Sequence, residues 1–427
     1  MKVDAELEGG ERAYTGIVRV SRRASDGVRT GYLWVYRSDV QGFGLAGSEG
    51  AGEAGEPERG ALVTVVDGRG VPLGTALYSA GSQITLRMVS DRPGMDRALY
   101  LESVRQRIED AIALREALAP VSAEGCARRL IFSEADGLPG IVADQYGEII
   151  VVQLLVQGTA QADVRQVVGE ALSGAFAQGA GTIWERTDSR VREIEGLEAG
   201  PEEPIWTADE ARSETVFPIN GLRFHYDARA GQKTGAFLDQ RLNYVAAARY
   251  ARGRALDICT YQGGFALHLA RGCERVTGVD ASRAALEVAD RNLELNRGGV
   301  GAAVDWIEAD AFELMRAYQD AGERFGAVVL DPPAFAKTKR AAEGALRGYK
   351  ELNLRALQML ERGGTLVTCS CSHHVSLEEF MGVLRAAAVD AGRGVQVLET
   401  RGAAPDHPAL LALPETSYLK CVICRVV

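Results

Sequence analysis

The stretch Arg254-Ala255-Leu256-Asp257-Ile258-Cys259-Thr260-Tyr261-Gln262-Gly263-Gly264-Phe265-Ala266-Leu267 decides the fold, because it passes from an apolar run through a glycine turn into a helical pattern. Residues 254–258 are typical of a buried parallel strand. The glycines suit a tight strand-to-helix turn. Asp280 ends the next apolar run about 20 residues further on, at the spacing expected in a nucleotide-binding βαβ unit. The stretch therefore predicts the first βαβ unit of a doubly wound domain.

Further strand patterns follow, with helical patterns between them. They lie at residues 275–280, 304–308, 327–330 and 365–368. Strands that alternate with helices form a parallel sheet covered on both faces. We expect residues 217–427 to form a Rossmann-like, doubly wound domain of the α/β class.

Two smaller units precede this domain. Residues 14–90 show short strand patterns separated by Gly and Asp turns, which predicts an all-β unit, most economically a small barrel, within residues 1–92. A helical pattern at residues 97–118 ends before Pro120, and strand and helix patterns alternate up to about residue 185. We expect residues 93–216 to form a linking helix and a small α+β domain.

Composition limits the classes of function. The chain has 427 residues, a formal net charge of −10 and a pI near 5.3, which argues against a basic surface for indiscriminate nucleic-acid binding. Any RNA contact should be local, and one candidate is an early cluster that comprises Arg19, Arg22, Arg23, Arg29 and Arg37. No apolar run could span a membrane and no secretory signal precedes the first strand, so we expect a cytoplasmic protein without a membrane partner.

The seven cysteines are an odd, scattered set that favours reduced thiols over a disulfide framework. Cys369, Cys371, Cys421 and Cys424 superficially resemble four zinc ligands. Residues 418–425 have a strand pattern, however, and a strand would point Cys421 and Cys424 to opposite faces. We therefore expect no metal.

The turn predicts the cofactor. It lacks the Gly-x-Gly-x-x-Gly pattern of dinucleotide sites, and Asp257 would repel a pyrophosphate but suits the ammonium group of S-adenosylmethionine. Asp280 is placed to accept hydrogen bonds from ribose hydroxyls. Asp310, which follows the third strand, could bond the adenine amino group or cap a helix, and one side chain can do both.

Two further motifs follow predicted strands, namely Asp331-Pro332-Pro333-Ala334-Phe335 and Thr368-Cys369-Ser370-Cys371-Ser372. Because the carboxyl ends of parallel strands meet at one edge of a sheet, the acid and a thiol should share one cleft. Basic residues flank the acid motif; they are Lys337, Lys339, Arg340 and Arg347.

Together, these motifs resemble those of the bacterial class I 23S ribosomal RNA large-subunit methyltransferases that make 5-methylcytosine. The resemblance spans nearly the whole chain and is carried by residues 231–241, 257–265, 331–335, 348–353 and 369–372, with weaker matches at residues 32–36 and 136–140. It implies an N-terminal PUA domain, a central α+β domain and a Rossmann-like catalytic domain, with ribosomal RNA as partner.

The motifs and the resemblance together assign the site residues. The expected cofactor contacts are Lys233, Thr234, Phe237, Asp257, Tyr261, Gly263, Gly264, Phe265, Asp280, Asp310 and Asp331. The expected substrate contacts are Pro332, Phe335, Lys337 and Arg340.

Carbon 5 of a pyrimidine is a poor nucleophile, so its methylation needs a thiolate that adds at carbon 6. Cys371 is the expected nucleophile because it lies nearer the strand's tip than Cys369. Asp331 should bond the cytosine edge and stabilise the adduct, while Phe335 could stack on the extruded base or pack in the core.

Several alternatives stay open on the sequence. The acid motif also suits methylation of a base nitrogen, which needs no thiol; uracil carbon 5 is another target; and a non-catalytic RNA-binding assembly factor is a third class. The general base is not assigned among His373, His374 and His407. The sequence leaves open the role of Cys369, the nucleotide that is modified and the assembly state of the RNA. It also leaves open the oligomeric state, for which a homodimer is one alternative.

Overall fold

A computed structural model of the chain describes residues 16–44, 55–122, 125–176, 181–186, 188–229, 235–335 and 342–427. Within these residues three sheets and a separate hairpin carry the architecture. None of the helices described there is long and apolar enough to cross a membrane.

The N-terminal unit is built on a six-stranded sheet. Its strands are β1 (Gly16–Val20), β2 (Trp34–Tyr36), β3 (Val40–Gly44), β4 (Leu62–Val66), β5 (Pro72–Tyr78) and β6 (Ile84–Ser90). They lie in the order β2-β6-β5-β4-β1-β3, and β1 runs parallel to β4. The strands alternate between core and surface, so Val18, Val20 and Val35 are fully buried.

The expectation of an all-β unit is wrong in one place, because helix α1 (Arg22–Arg29) connects β1 to β2. Ser21 begins this helix, and its hydroxyl accepts a hydrogen bond from the backbone N–H of Ala24 at 3.2 Å. Its buried residues are only Ala24 and Ser25. A helix without an apolar stripe gives no periodic signal in the sequence.

The central unit begins with the predicted linking helix α2 (Arg97–Leu118), which is confirmed at both ends. The other elements are β7 (Ala127–Phe132), β8 (Ile141–Tyr146), β9 (Ile149–Leu154), α3 (Ala162–Ser173), β10 (Thr182–Glu185), α4 (Ser189–Glu195) and β11 (Trp206–Thr207). The strands form a sheet in the order β11-β10-β9-β8-β7. Asp96 starts α2, since its carboxylate accepts a hydrogen bond from Leu99 N–H at 2.8 Å.

The third unit follows a hairpin of β12 (Glu214–Ile219) and β13 (Leu222–Asp227). Its helices are α5 (Arg241–Tyr250), α6 (Gly264–Leu269), α7 (Arg283–Asn296), α8 (Ala311–Asp320), α9 (Ala342–Met359) and α10 (Leu377–Asp390). Its strands are β14 (Arg254–Ile258), β15 (Arg275–Asp280), β16 (Ala303–Glu308), β17 (Phe325–Leu330), β18 (Leu360–Ser370), β19 (Val395–Arg401) and β20 (Lys420–Val426). The boundary expected between residues 216 and 217 falls inside β12, so we place it before Glu214.

The seven-stranded sheet has the order β16-β15-β14-β17-β18-β20-β19, and its five predicted parallel strands are confirmed. The antiparallel β20 lies between β18 and β19. Apolar side chains pack on both faces: Val329 and Val367 on one, Val328 and Leu366 on the other. The chain order reverses between β14 and β17, which is where ligands bind in such sheets.

Residues 402–419, which connect β19 to β20, contact the other two units. Arg115 Nη2 donates a hydrogen bond to the carbonyl of Asp406 at 2.9 Å, and the Asp406 carboxylate accepts one from Arg129 N–H at 2.9 Å. Tyr32 of the N-terminal unit donates its hydroxyl proton to Glu415 at 2.9 Å. This connection therefore links all three units.

Candidate active site

The turn after β14 holds three residues in the left-handed backbone conformation. Cys259, Tyr261 and Gly263 have φ angles of 63°, 51° and 83°. Residues with a Cβ avoid this region, and such strain concentrates at functional sites. Asp280 fixes the turn, because its Oδ2 accepts a hydrogen bond from Tyr261 N–H at 2.9 Å. The predicted Phe237 meets the turn as well, with its ring edge-on to that of Tyr261 at 5.0 Å.

The two glycines of the turn are required by their protein neighbours. A Cβ on Gly263 would lie 2.9 Å from the Trp306 ring, and a Cβ on Gly264 would lie 2.6 Å from the Tyr244 hydroxyl. Both distances are too short for real contacts. Besides allowing the tight turn, the absence of a Cβ at these two positions lets the Trp306 and Tyr244 side chains approach the backbone.

The side chain of Phe265 does not belong to the cofactor surface. It is 4% exposed and packs edge-on against Tyr244, with ring centroids 4.7 Å apart. Its apolar ring thus fills the core beneath the turn, and a cofactor contact of Phe265 through its main chain stays a prediction.

Asp257, at the end of β14, is fully buried. Its Oδ2 accepts hydrogen bonds from Thr260 Oγ1 at 2.6 Å and Ala266 N–H at 2.9 Å, whereas Oδ1 has no partner among the described residues. Burial raises the pKa of Asp257 from 3.8 to about 7. A buried carboxylate oxygen without a hydrogen-bond donor suits a cationic ligand group. Asp257 therefore fits the ammonium group of S-adenosylmethionine.

Asp280 and Asp310 follow or end the two neighbouring strands. Asp280 accepts one backbone hydrogen bond on each oxygen, from Tyr261 and from Ser282, both at 2.9 Å. Each oxygen keeps a second lone pair for a ribose hydroxyl. Asp310 caps α8, where its Oδ1 accepts hydrogen bonds from Phe312 N–H and Glu313 N–H. The capping interpretation of Asp310 is therefore confirmed, and an adenine contact stays a prediction.

Asp331 follows β17 directly and is bound by a residue that sequence reasoning missed. Gln240 Nε2 donates a hydrogen bond to Asp331 Oδ2 at 3.0 Å, and Gln240 Oε1 accepts one from Asn243 at 2.6 Å. Gln240 is buried. The signal that could have identified Gln240 is its position within residues 231–241, a segment that carries the family resemblance and contains three of the expected cofactor contacts.

Cys371 lies one residue beyond β18, beside the acid motif. Its thiol donates to the carbonyl of Pro332 across 3.9 Å. The neighbouring strand ends explain this contact, since Leu330 of β17 pairs with Thr368 of β18. The acid and the thiol therefore lie at adjacent strand ends, and β14, which carries the turn, is the next strand beyond β17.

Cys369 lies inside β18 in a different environment from Cys371. It is fully buried and pairs with Cys421 of β20 in register. Burial raises the pKa of Cys369 well above its usual value, so this thiol is a poor source of thiolate. Within the described part of the chain, no group of His, Cys, Asp and Glu side chains could hold a metal ion.

Phe335 packs on protein, with its ring 4.8 Å from Tyr349 and 6.1 Å from Phe312, and it remains half-buried. Pro332 is buried. The sequence also assigned Lys233, Thr234, Lys337 and Arg340, which lie outside the described residues.

The remaining polar groups near the thiol include one that the sequence did not indicate. Lys420 opens β20 and donates to the carbonyl of Ser372, the residue after Cys371, at 2.7 Å. His373 contacts the carbonyl of Glu415 at 3.1 Å, and His407 contacts the Asp406 carboxylate at 3.0 Å. His374 is exposed. These contacts do not assign a general base.

Comparisons with known proteins match two family models to the chain. A model of the PUA-like domain matches residues 18–91, and a model of the S-adenosylmethionine-dependent methyltransferases matches residues 168–412. A ribosomal RNA large subunit methyltransferase I from Klebsiella pneumoniae (strain 342) is 39% identical over 90% of this chain and 92% of its own length. The protein of that name from Escherichia coli (strain SMS-3-5 / SECEC) is 37% identical over 87% and 92%.

A solved structure from Streptococcus mutans, assigned as an S-adenosylmethionine-dependent methyltransferase, superposes with a TM-score of 0.77. It covers 96% of this chain and 100% of its own at 17% identity, which shows a shared fold. The matched family models and the sequence identity to the two relatives show the family as well as the fold. The chain belongs to the S-adenosylmethionine-dependent methyltransferases and, among them, to the family of ribosomal RNA large subunit methyltransferase I, with a PUA-like domain at its N-terminal end.

Proposed function

We propose that the protein methylates carbon 5 of a cytosine in 23S ribosomal RNA through a covalent bond between Cys371 and carbon 6. The observation that supports this proposal is the contact of the Cys371 thiol with the Pro332 carbonyl, because it brings a thiol close to the residue after Asp331, one strand away from the switch point between β14 and β17. The relatives are named for ribosomal RNA of the large subunit, which supports the class of substrate.

The reaction assigns one task to each side chain. The Cys371 thiolate forms a bond to carbon 6, and the electron pair of the carbon 5–carbon 6 double bond moves toward carbon 5. Asp331, oriented by Gln240, binds the N3/N4 edge of cytosine and stabilises the charge of the adduct. S-adenosylmethionine supplies the methyl group when bound. Loss of the carbon-5 proton then expels the thiolate and restores the double bond.

Three expected cofactor groups fit this scheme by position. The unpaired oxygen of Asp257 would take the ammonium, Asp280 the ribose hydroxyls, and the Tyr261–Phe237 pair would border the ligand. Phe335 would contact the extruded base with the part of its ring that α9 leaves exposed.

The N-terminal unit would hold the RNA close to the thiol. Tyr32 bonds the side chain of Glu415, and the Glu415 carbonyl contacts His373, two residues from Cys371. RNA bound by the PUA-like domain would thus pass near the strand ends. A ribosomal RNA substrate would place the protein in the cytoplasm, and a homodimer stays a prediction.

RNA with 5-fluorocytosine at the target position tests the proposal. Fluorine leaves no carbon-5 proton to remove, so enzyme and RNA should remain joined after denaturation, and the bond should map to Cys371 by peptide mass spectrometry. Cys371→Ala should neither trap nor methylate, while Cys273→Ala, a matched change outside the site, should do both. Methylation of a base nitrogen forms no such bond, so full methylation by Cys371→Ala would contradict the proposal and favour that reaction.

A further inference from the structure

Lys420 is a buried lysine at the edge of the thiol site. It is the first residue of β20, pairs with Ser370 of β18 in register, and is 7% exposed. Lysine is almost never buried without a compensating partner, because its ammonium group loses hydration. The position of Lys420 therefore calls for an explanation.

The amino group is held by main-chain carbonyls. Nζ donates to the carbonyl of Ser372 at 2.7 Å and to that of Tyr418 at 2.8 Å. An ammonium group has three N–H donors, and the third has no acceptor among the described residues. No described carboxylate forms an ion pair with Nζ. Glu379 of α10 is near, but its Oε2 accepts hydrogen bonds from the N–H of Ser376 at 2.7 Å and from its hydroxyl at 2.8 Å.

Burial lowers the pKa of Lys420, whereas the neighbouring Cys371 and Glu379 act in the opposite direction and raise it. Tyr349 from α9 and Tyr418 from the 402–419 connection also face the thiol, and both are neutral at physiological pH because burial raises the pKa of each. The Asp331 carboxylate lies at the adjacent strand end, where Gln240 Nε2 binds it at 3.0 Å, and its negative charge opposes a thiolate, which a cation near the thiol would offset. Burial lowers the pKa of Lys420 to about 8, so most of its population is charged at pH 7. Lys420 is thus a buried cation that contacts the residue after Cys371, and among the described residues no carboxylate pairs with it.

We propose that Lys420 is the counter-ion of the Cys371 thiolate and the residue that positions it. This inference rests on the proposed function, because it explains how the nucleophile is prepared. The Cys371 thiol releases its proton to solvent water, Lys420 remains an ammonium, and its charge stabilises the sulfur anion. When the carbon 6–sulfur bond breaks, the electron pair returns to sulfur beside the same cation. The hydrogen bond to Ser372 fixes the backbone that carries the thiol.

The pH dependence of Cys371 alkylation by iodoacetamide tests the proposal on the full-length protein without RNA. The rate is followed at the Cys371 peptide by mass spectrometry. In Lys420→Met and Lys420→Gln the pH midpoint should rise by about one unit, with a roughly tenfold lower rate at pH 7. Lys420→Arg should restore a midpoint near that of the unchanged protein. The control is Arg425→Met, which removes an exposed cation from the same strand and should change nothing.

Lys420→Gln keeps a donor for the Ser372 carbonyl, so it separates charge from backbone support. An unchanged pH midpoint of Cys371 alkylation in a folded Lys420→Gln or Lys420→Met protein would overturn the proposed role of Lys420 as counter-ion. If neither variant folds, Cys371 is titrated in the unchanged protein by its thiolate absorbance, from which the absorbance of Cys371→Ser is subtracted. A titration midpoint below about pH 7.5 supports the proposal, and a midpoint near the ordinary thiol value of about 8.5 overturns it. A low midpoint together with a failed 5-fluorocytosine trap would refute the proposed function alone, whereas a successful trap with an ordinary midpoint would refute the role of Lys420 alone.

Discussion

Asp257 shows at the scale of one residue how a binding site costs stability. Its folded-state pKa of about 7 lies above the unfolded value of 3.8, so the folded protein binds the proton more tightly. Below pH 4 both states are protonated and the group has no effect. As the pH rises from about 4 to about 7, the unfolded state gains stability relative to the folded state, by up to roughly 4 kcal/mol. A bound ammonium would reverse this penalty.

Asp257→Asn should therefore stabilise the ligand-free protein and weaken cofactor binding. We expect the free energy of unfolding to increase by about 1–3 kcal/mol at pH 8 and not at pH 4, because only the ionised aspartate is penalised. The affinity for S-adenosylmethionine should fall about tenfold or more. Thermal unfolding at both pH values and calorimetry measure the two effects.

The matched control for Asp257→Asn is Asp305→Asn, since Asp305 is a surface carboxylate paired with Arg275 at 2.7 Å. This control should leave the cofactor affinity unchanged. An Asp257→Asn protein with unchanged affinity would remove the carboxylate from the cofactor site.

At the scale of elements, the sequence predicted what local patterns encode. Strands β14 and β15 were placed with both ends correct, because apolar runs bounded by Gly and Asp are local signals. Helix α1 was missed because its buried face consists of Ala24 and Ser25, which carry no apolar period. Strand β19 was not identified either, since its side chains are mostly half-exposed or exposed at the edge of the sheet.

The site residues divide in the same way. Asp257, Asp280, Asp331 and Cys371 are recognisable because each stands at or just beyond a predicted strand end. Gln240 and Lys420 act on partners 91 and 48 positions away in the chain, and no local pattern announces such contacts. The register of β18 with β20, which pairs Ser370 with Lys420, is what places Lys420 next to the segment that carries Cys371.

At the scale of the whole molecule, the apolar core crosses the boundary between the central and third units. Tyr146 of β8 stacks on Tyr226 of β13 at 4.0 Å and contacts Phe217 of β12 at 5.1 Å. A fragment of residues 217–427 would expose these rings and cut β12, so it should not bind S-adenosylmethionine. A fragment of residues 93–427 keeps this core and should bind the cofactor as the full chain does. Calorimetry on both fragments checks this, and equal affinities would show that the core contact is dispensable.

The arrangement of charges on the N-terminal unit predicts which arginines bind RNA. Arg29 is paired with Asp67 at 2.5 Å, whereas Arg23 and Arg37 are exposed and form no ion pair with the described residues. Positive charges without protein partners are the ones that neutralise phosphates, so Arg23→Ala with Arg37→Ala should reduce the slope of RNA affinity against salt concentration by about 2. Cofactor affinity and Cys371 alkylation should not change, because the site is intact. Arg29→Ala is the matched control and should have a smaller effect on the slope. A larger loss in Arg29→Ala than in the double variant would place the RNA on another face of the molecule.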